Sequence, residues 1–150
     1  MDCDIRAYLR RANALRRFIE IAVGAMLVVA GVAKLGQRYD FLANIYQYRL
    51  VGSATGIWVA TYLPWLECVV GCALVSNTFA RGGLVMSCIL FAVLLAAKIS
   101  LLARGMAVPC GCIFRESQEP VTITDAALTG IWLLASFGCL LRASQTGRSR

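Results

Sequence analysis

The sequence predicts an all-α fold, a four-helix transmembrane bundle that forms a single integral-membrane domain over residues 1–150. The chain is 59% hydrophobic and its mean hydropathy is +0.71, whereas soluble domains are usually about half apolar. The apolar residues are concentrated in four runs, each near the roughly 20 residues that a helix needs to cross a bilayer. The charged residues, 15% of the chain, lie mainly between and outside these runs.

The four apolar runs are the predicted membrane spans. They cover residues 18–35, 57–76, 84–103 and 126–141. Because three further spans follow the first run, and a cleaved signal peptide normally has a shorter apolar core, we expect the first run to be retained as a helix. Thr122 and Asp125, three residues apart, have the spacing of a capping box, which predicts that the fourth helix starts close to them.

The arginines predict the orientation of the bundle. Four spans place both termini on the same side of the membrane, and that side carries most of the arginines. They are Arg6, Arg10, Arg11, Arg16, Arg17, Arg81, Arg142, Arg148 and Arg150. The loops at 37–56 and 104–124, on the opposite side, mix arginine with acidic residues. Since cytoplasmic loops carry the excess of positive charge, we expect cytoplasmic termini, a multi-pass protein of the inner (cytoplasmic) membrane, and periplasm-facing loops.

The first outer loop contains apolar residues at helical spacing. Phe41, Ile45 and Tyr48 form one such series, and Leu42 and Tyr46 form another. This pattern predicts a short amphipathic helix over about 41–50 that lies in the membrane interface.

Composition excludes several kinds of function. The net charge of +7 indicates membrane flanks, and no nucleic-acid partner is expected because no basic face is interleaved with aromatic residues. The chain contains no histidine, which excludes histidine ligation of haem, zinc or copper and any histidine-based triad. Chemistry must therefore use cysteine, carboxylate, lysine, arginine or tyrosine.

The main candidate site is Cys110-Gly111-Cys112, preceded by Pro109, in the second outer loop. Gly111 supplies the backbone freedom that a very small disulfide ring needs, and a strained disulfide exchanges readily. In the expected orientation, only Cys110 and Cys112 lie where disulfides persist. Redox exchange is the favoured interpretation. A soft metal on two thiolates is a second, although no further outer cysteine or histidine completes a metal site, and two cysteines without shared chemistry are a third.

Three ionisable residues inside the predicted spans form a second candidate group: Lys34, Glu67 and Lys98. A charge at mid-bilayer costs about 2.5–3.5 kcal/mol on insertion scales, so it usually faces the bundle interior and has a partner. Glu67 with Lys34 or Lys98 is the predicted pair, and all three could approach one another. Such a cluster could shift the pKa of a thiol, relay a proton, or fix a quinone or a protein partner. A structural ion pair, or lysines that reach the headgroups, is the alternative.

Several short motifs occur in a characteristic order. They are Ala33-Lys34-Leu35, Phe41 through Leu50, Leu63-Pro64-Trp65-Leu66-Glu67 with Gly71, and Cys110-Gly111-Cys112-Ile113-Phe114. Together, over about residues 18–140, they resemble the MauE family of methylamine utilisation membrane proteins, grouped with DoxX-like four-helix proteins. One departure is Arg115, which follows Ile113-Phe114 where a Phe-Gly pair often follows the cysteines.

The resemblance implies an inner-membrane protein associated with thiol redox. It further implies a part in protein maturation within methylamine metabolism, namely that of methylamine dehydrogenase, alongside a periplasmic thioredoxin-like partner. We therefore predict an integral membrane thiol–disulfide redox protein, a candidate oxidoreductase, in which Cys110 and Cys112 exchange electrons with that partner. A membrane quinone, or a relay through Cys68 and Cys72, is a candidate electron route. The alternatives are a non-enzymatic assembly factor and a transporter for a soft metal or a small thiol.

Overall fold

The computed structural model describes residues 2–48, 52–105 and 121–146. This part of the chain consists of α-helices and short connections, and contains no β-strand, which confirms the all-α prediction. The helices are α1 (Asp2–Gly36), α2 (Arg38–Tyr48), α3 (Ser53–Ser76), α4 (Ala80–Ala103) and α5 (Ile123–Thr146). The element order also confirms a helix in the first predicted outer loop, where α2 begins three residues before the first residue of the predicted segment.

Four of these helices are long and apolar enough to cross a membrane, as predicted. The membrane-spanning parts are Ala14–Gly36, Thr55–Ser76, Ala80–Ala103 and Ile123–Ala143. Each begins two to four residues before the corresponding apolar run, because helical hydrogen bonding continues into polar residues that a hydropathy pattern leaves out. The chain is a multi-pass membrane protein in contact with the lipid bilayer. Helix α1 continues for about 12 residues before its spanning part, or about 18 Å of helix.

Helices α1 and α3 run antiparallel and approach each other closely through glycines. A Cβ atom on Gly24 would lie 2.8 Å from the carbonyl oxygen of Gly71, and one on Gly71 would lie 2.6 Å from the carbonyl oxygen of Gly24. A Cβ on Gly31 would lie 2.6 Å from Sγ of Cys68. Since lipid provides no hydrophobic drive for helix association, such small residues allow the close van der Waals packing that holds membrane helices together.

We expect Gly71→Ala to destabilise the bundle by about 1–3 kcal/mol, the usual cost of overpacking. The added methyl would meet backbone atoms of α1, which cannot move aside as a flexible side chain can. Gly138→Ala is the matched control because a Cβ there has no neighbour within 4 Å among the described residues, and it should be neutral or should stabilise by up to about 1 kcal/mol, the helix-propensity gain of alanine over glycine. The free energy of unfolding, measured by denaturant titration in mild detergent, separates the two. Equal losses would contradict the close α1–α3 contact.

At the other end of the bundle from α2, arginines cover the carbonyl ends of two helices. The guanidinium of Arg17 donates to the carbonyl oxygens of Leu74 and Val75 near the end of α3, at 3.0 and 2.6 Å. Arg81 donates to the carbonyl oxygen of Ala143 on α5 at 3.1 Å. The last carbonyls of a helix have no partner within it and carry partial negative charge, so these contacts stabilise the helix ends.

Helix α2 packs on α3, and a local hydrogen-bond pattern marks the start of α5. Ile45 of α2 is buried, and a Cβ on Gly56 of α3 would contact both Ile45 and Tyr46, so α2 packs on the start of α3. At the start of α5, the backbone N–H and the hydroxyl of Thr122 donate to Oδ2 of Asp125, at 2.9 and 2.6 Å. These hydrogen bonds confirm the predicted helix start.

Candidate functional site

The antiparallel contact of α1 and α3 brings Lys34 and Glu67 together inside the membrane-spanning region. Nζ of Lys34 lies 2.5 Å from Oε1 of Glu67, and the exposed fractions of the two side chains are 6% and 0%. Gly31, one turn before Lys34, contacts Cys68, the residue after Glu67. The close approach at Gly31 therefore sets the register that places the ammonium group opposite the carboxylate.

Only one of the two carboxylate oxygens of Glu67 has a hydrogen-bond partner within the described part of the chain. Oε2 of Glu67 is buried and has no hydrogen-bond partner among the described residues, although buried polar atoms are nearly always paired because an unpaired one is costly. The ammonium group of Lys34 also lies 5.5 Å from the ring centre of Phe41 on α2, within the range of a cation–π interaction. The site therefore contains a carboxylate oxygen of Glu67 without a described partner, next to the ammonium group of Lys34. Residues of α1, α2 and α3 meet at this site.

Lys98 forms its described hydrogen bonds with α5. Its Nζ donates to Oγ1 of Thr129 at 2.7 Å and to the carbonyl oxygen of Asp125 at 3.2 Å. The hydroxyl of Thr129 in turn donates to that same carbonyl at 2.8 Å. Of the two lysines predicted as partners of Glu67, Lys34 contacts the carboxylate, whereas the described hydrogen bonds of Lys98 are formed with α5. The result is one polar contact between α1 and α3 and another between α4 and α5.

Lys34 and Lys98 lie towards the same end of the bundle, and Glu67 lies near the middle of its span. Because the helices alternate in direction, this end holds the C-terminal ends of α1 and α4 and the N-terminal ends of α3 and α5. The chain between residues 105 and 121 connects α4 to α5 at this end. Cys110 and Cys112, the predicted redox pair, lie outside the described residues. The structure shows where the helix ends on either side of this segment lie.

Four other cysteines lie in the described spans and are free thiols. Cys68 is partly buried against α1, and its Sγ lies 3.9 Å from the carbonyl oxygen of Val28. Cys139 is in the core, Cys88 is half-buried and Cys72 is exposed on the surface of α3. Across the described residues, no group of three or more Cys, Asp or Glu side chains is arranged to hold a metal ion. The close contact of Cys68 with Gly31 supports a packing role for this thiol.

Glu20 is a buried charge that the predicted site does not include. Its carboxylate lies 2.8 Å from Nε of Arg16 and 3.5 Å from a terminal nitrogen of Arg17, and its side chain is 2% exposed. The signal in the sequence is the spacing, since residues three and four apart are neighbours on a helix. Phe41 was missed as a neighbour of Lys34 because that contact depends on how α2 folds back towards α1.

Comparison with known families gives one match that covers most of the chain. The family model described as methylamine utilisation protein MauE matches residues 12–142. The matched range includes Lys34, Glu67 and Lys98 together with Cys110 and Cys112. No curated protein and no solved structure matches the chain.

Proposed function

Because this chain belongs to the methylamine utilisation protein MauE family, we propose that it is an integral membrane thiol–disulfide redox protein. Cys110 and Cys112 are the reactive pair, and a periplasmic thioredoxin-like protein is the exchange partner. The observation that carries the proposal is the Cys110-Gly111-Cys112 sequence in the segment between α4 and α5. The helix ends that flank this segment lie at the end of the bundle nearest Lys34, which pairs with Glu67 near the middle of the membrane. The client is methylamine dehydrogenase or another disulfide-containing periplasmic protein.

The proposed reaction is an exchange between one dithiol and one disulfide. A thiolate of the reduced pair attacks the disulfide of the partner, which forms a mixed disulfide and releases one partner sulfur as a thiolate. The second cysteine then attacks the mixed disulfide, so that the Cys110–Cys112 disulfide closes and the second partner sulfur leaves. Two electrons pass to the partner, and the two protons lost by the pair balance the two gained by the partner. The reverse sequence reduces the Cys110–Cys112 disulfide at the expense of a partner dithiol.

The intramembrane polar residues have distinct proposed roles. Lys98 is a positioning residue, since its bonds to Thr129 and Asp125 hold the first turns of α5, to which the cysteine segment is attached. The Lys34–Glu67 pair is the proposed contact point for a quinone or a protein partner, and Oε2 of Glu67, which has no hydrogen-bond partner among the described residues, supports this role. The proposed location is the inner membrane with the cysteine segment in the periplasm. The arginine-rich opposite end, where Arg17 and Arg81 cover helix ends, supports that orientation.

A non-enzymatic assembly factor is a second candidate function. Helix α2 packs on α3 through the buried Ile45, while Tyr39, near the start of the same helix, is 89% exposed. A helix held in this way offers a firm contact surface for a protein partner. In this case Cys110 and Cys112 would be dispensable for client maturation.

A trapping experiment tests the proposed exchange. In cells that carry the single variants Cys110→Ser and Cys112→Ser, we expect one of the two to accumulate a mixed disulfide with a thioredoxin-like periplasmic protein, because the resolving cysteine is missing. Non-reducing gels after acid quenching and thiol alkylation detect the adduct, and mass spectrometry identifies it. Cys72→Ser, which removes an exposed thiol of α3, is the control and should trap nothing. Failure of both single variants to trap a partner would overturn the exchange reaction.

A further inference from the structure

A groove of about 450 Å³ opens where α1 passes into α2, opposite the first half of α3. Leu35, Arg38 and Leu42 line one side, and Ile57, Ala60 and Trp65 line the other. We propose that this groove binds one anionic phospholipid, with the lipid phosphate on Arg38 and an acyl chain between the apolar walls. The binding site is separate from the proposed redox reaction and does not depend on it.

Charge selects the class of ligand. Arg38 is the charged residue among those that line the groove. Its Nε donates to the carbonyl oxygen of Leu35 at 3.3 Å, and within the described part of the chain its two terminal nitrogens form no hydrogen bond or ion pair. A planar guanidinium matches two oxygens of a phosphate. A neutral ligand such as a quinone would gain one hydrogen bond from this group but no neutralisation of charge, so the geometry favours an anionic headgroup.

The depth of the groove matches an amphiphilic molecule. The membrane-spanning part of α1 ends at Gly36 and that of α3 begins at Thr55, so Arg38 lies just past the end of a span, at the level of the headgroups. On α3 the lining extends from Ile57 to Trp65, about 12 Å along the helix axis and into the hydrocarbon. The groove thus joins a cationic site at headgroup depth to an apolar channel at acyl-chain depth, as a phospholipid requires.

An aromatic pair lies on the same helix beside the groove. Trp58 and Tyr62 are stacked with ring centres 5.4 Å apart, and both are largely exposed on the surface of the bundle. Tryptophan and tyrosine are enriched at the membrane–water boundary, which agrees with the depth assigned to Arg38. Trp58 does not line the groove, whereas Trp65 does. Trp58 is 62% exposed and Trp65 is 55% exposed, so both indoles report on surrounding lipid, and Trp65 reports on the groove in addition.

Fluorescence quenching by brominated lipids uses this difference. The full chain is prepared with Trp65 as its single tryptophan (Trp58→Phe, Trp132→Phe), or with Trp58 as its single tryptophan (Trp65→Phe, Trp132→Phe). Each is reconstituted in phosphatidylcholine vesicles that contain brominated phosphatidylglycerol or brominated phosphatidylcholine. At Trp65 we expect phosphatidylglycerol to bind about five times more strongly than phosphatidylcholine, the effect of one basic residue near the membrane surface. At Trp58 the ratio should be about one.

Variants of the groove supply the controls. Arg38→Gln should reduce the Trp65 ratio to about one, whereas Arg38→Lys, which keeps the charge, should retain most of the preference. Arg104→Gln removes an exposed arginine at the same end of the bundle and should leave the ratio unchanged. A ratio near one at Trp65 before any change at Arg38, or equal effects of Arg38→Gln and Arg104→Gln, would overturn the proposal. So would selective quenching of Trp65 by one equivalent of decylubiquinone that phosphatidylglycerol does not diminish.

Discussion

Replacement of both Cys110 and Cys112 by serine is expected to abolish electron exchange with the thioredoxin-like partner. A serine hydroxyl can neither form a disulfide nor attack one, so the loss should be about a thousandfold or more, as when an enzyme loses its nucleophile. The full chain in proteoliposomes is mixed with a reduced or oxidised periplasmic thioredoxin-like protein. Thiol alkylation followed by gel electrophoresis then measures the fraction of each protein that is oxidised as a function of time.

Serine variants of the cysteines inside the spans are the controls for this experiment. Cys72→Ser and Cys88→Ser each remove a free thiol from α3 or α4 and should leave the exchange rate within about threefold of the starting protein if no relay passes through them. Normal client maturation by the Cys110→Ser/Cys112→Ser protein would instead favour the assembly factor. Cysteine-dependent uptake of a soft metal without any trapped partner would favour the transporter.

Removal of either partner of the Lys34–Glu67 pair should be strongly damaging to the stability of the bundle. Glu67→Leu leaves the ammonium group of Lys34 buried at 6% exposure without its carboxylate, and a broken buried pair costs about 3–5 kcal/mol. Lys34→Met should cost a similar amount, because it strands the carboxylate. Lys34→Met/Glu67→Leu removes both charges and should recover most of the loss. Denaturant titration in mild detergent gives the four free energies of unfolding that this cycle requires.

The coupling energy is the quantity that decides this prediction. Two residues in direct contact show non-additive effects, whereas distant ones add. If the losses of the two single variants simply add in the double variant, the Lys34–Glu67 contact contributes nothing specific. Asp40→Asn, which removes an exposed charge in the first turn of α2, should change stability by no more than about 0.5 kcal/mol. If the double variant regains stability but loses electron exchange, the pair has a chemical role beyond packing.

Hydropathy predicted the helices well because the bilayer itself imposes the pattern. A segment that crosses the hydrocarbon must satisfy every backbone group internally and must present apolar side chains, so four apolar runs became α1, α3, α4 and α5. The spacing of Thr122 and Asp125 was sufficient to locate the start of α5, since the interaction is local. The starts of the membrane-spanning parts were predicted two to four residues too late, because polar residues in the first turns still belong to the helices.

The pairing of Glu67 is the contrasting case. A carboxylate inside the membrane is costly unless it has a partner, and the sequence offered Lys34 and Lys98 as candidates. The choice depended on the register of α1 against α3, which Gly24, Gly31 and Gly71 set by allowing the backbones to touch. Register is a relation between distant segments, and no periodicity within either helix contains it. The same reason explains why the cation–π contact of Lys34 with Phe41 was not foreseen.

The sequence by itself determined that this protein is a bundle of four membrane-spanning helices with a Cys-Gly-Cys sequence between the last two, and that its buried charges need partners. These properties follow from the composition and the local spacing of residues, which act within one helix or one loop. Only the tertiary structure decided that Glu67 pairs with Lys34, that Lys98 is bonded to α5, and that a groove opens beside Arg38. Each of these depends on packing between helices, where differences of a few ångströms determine which atoms meet.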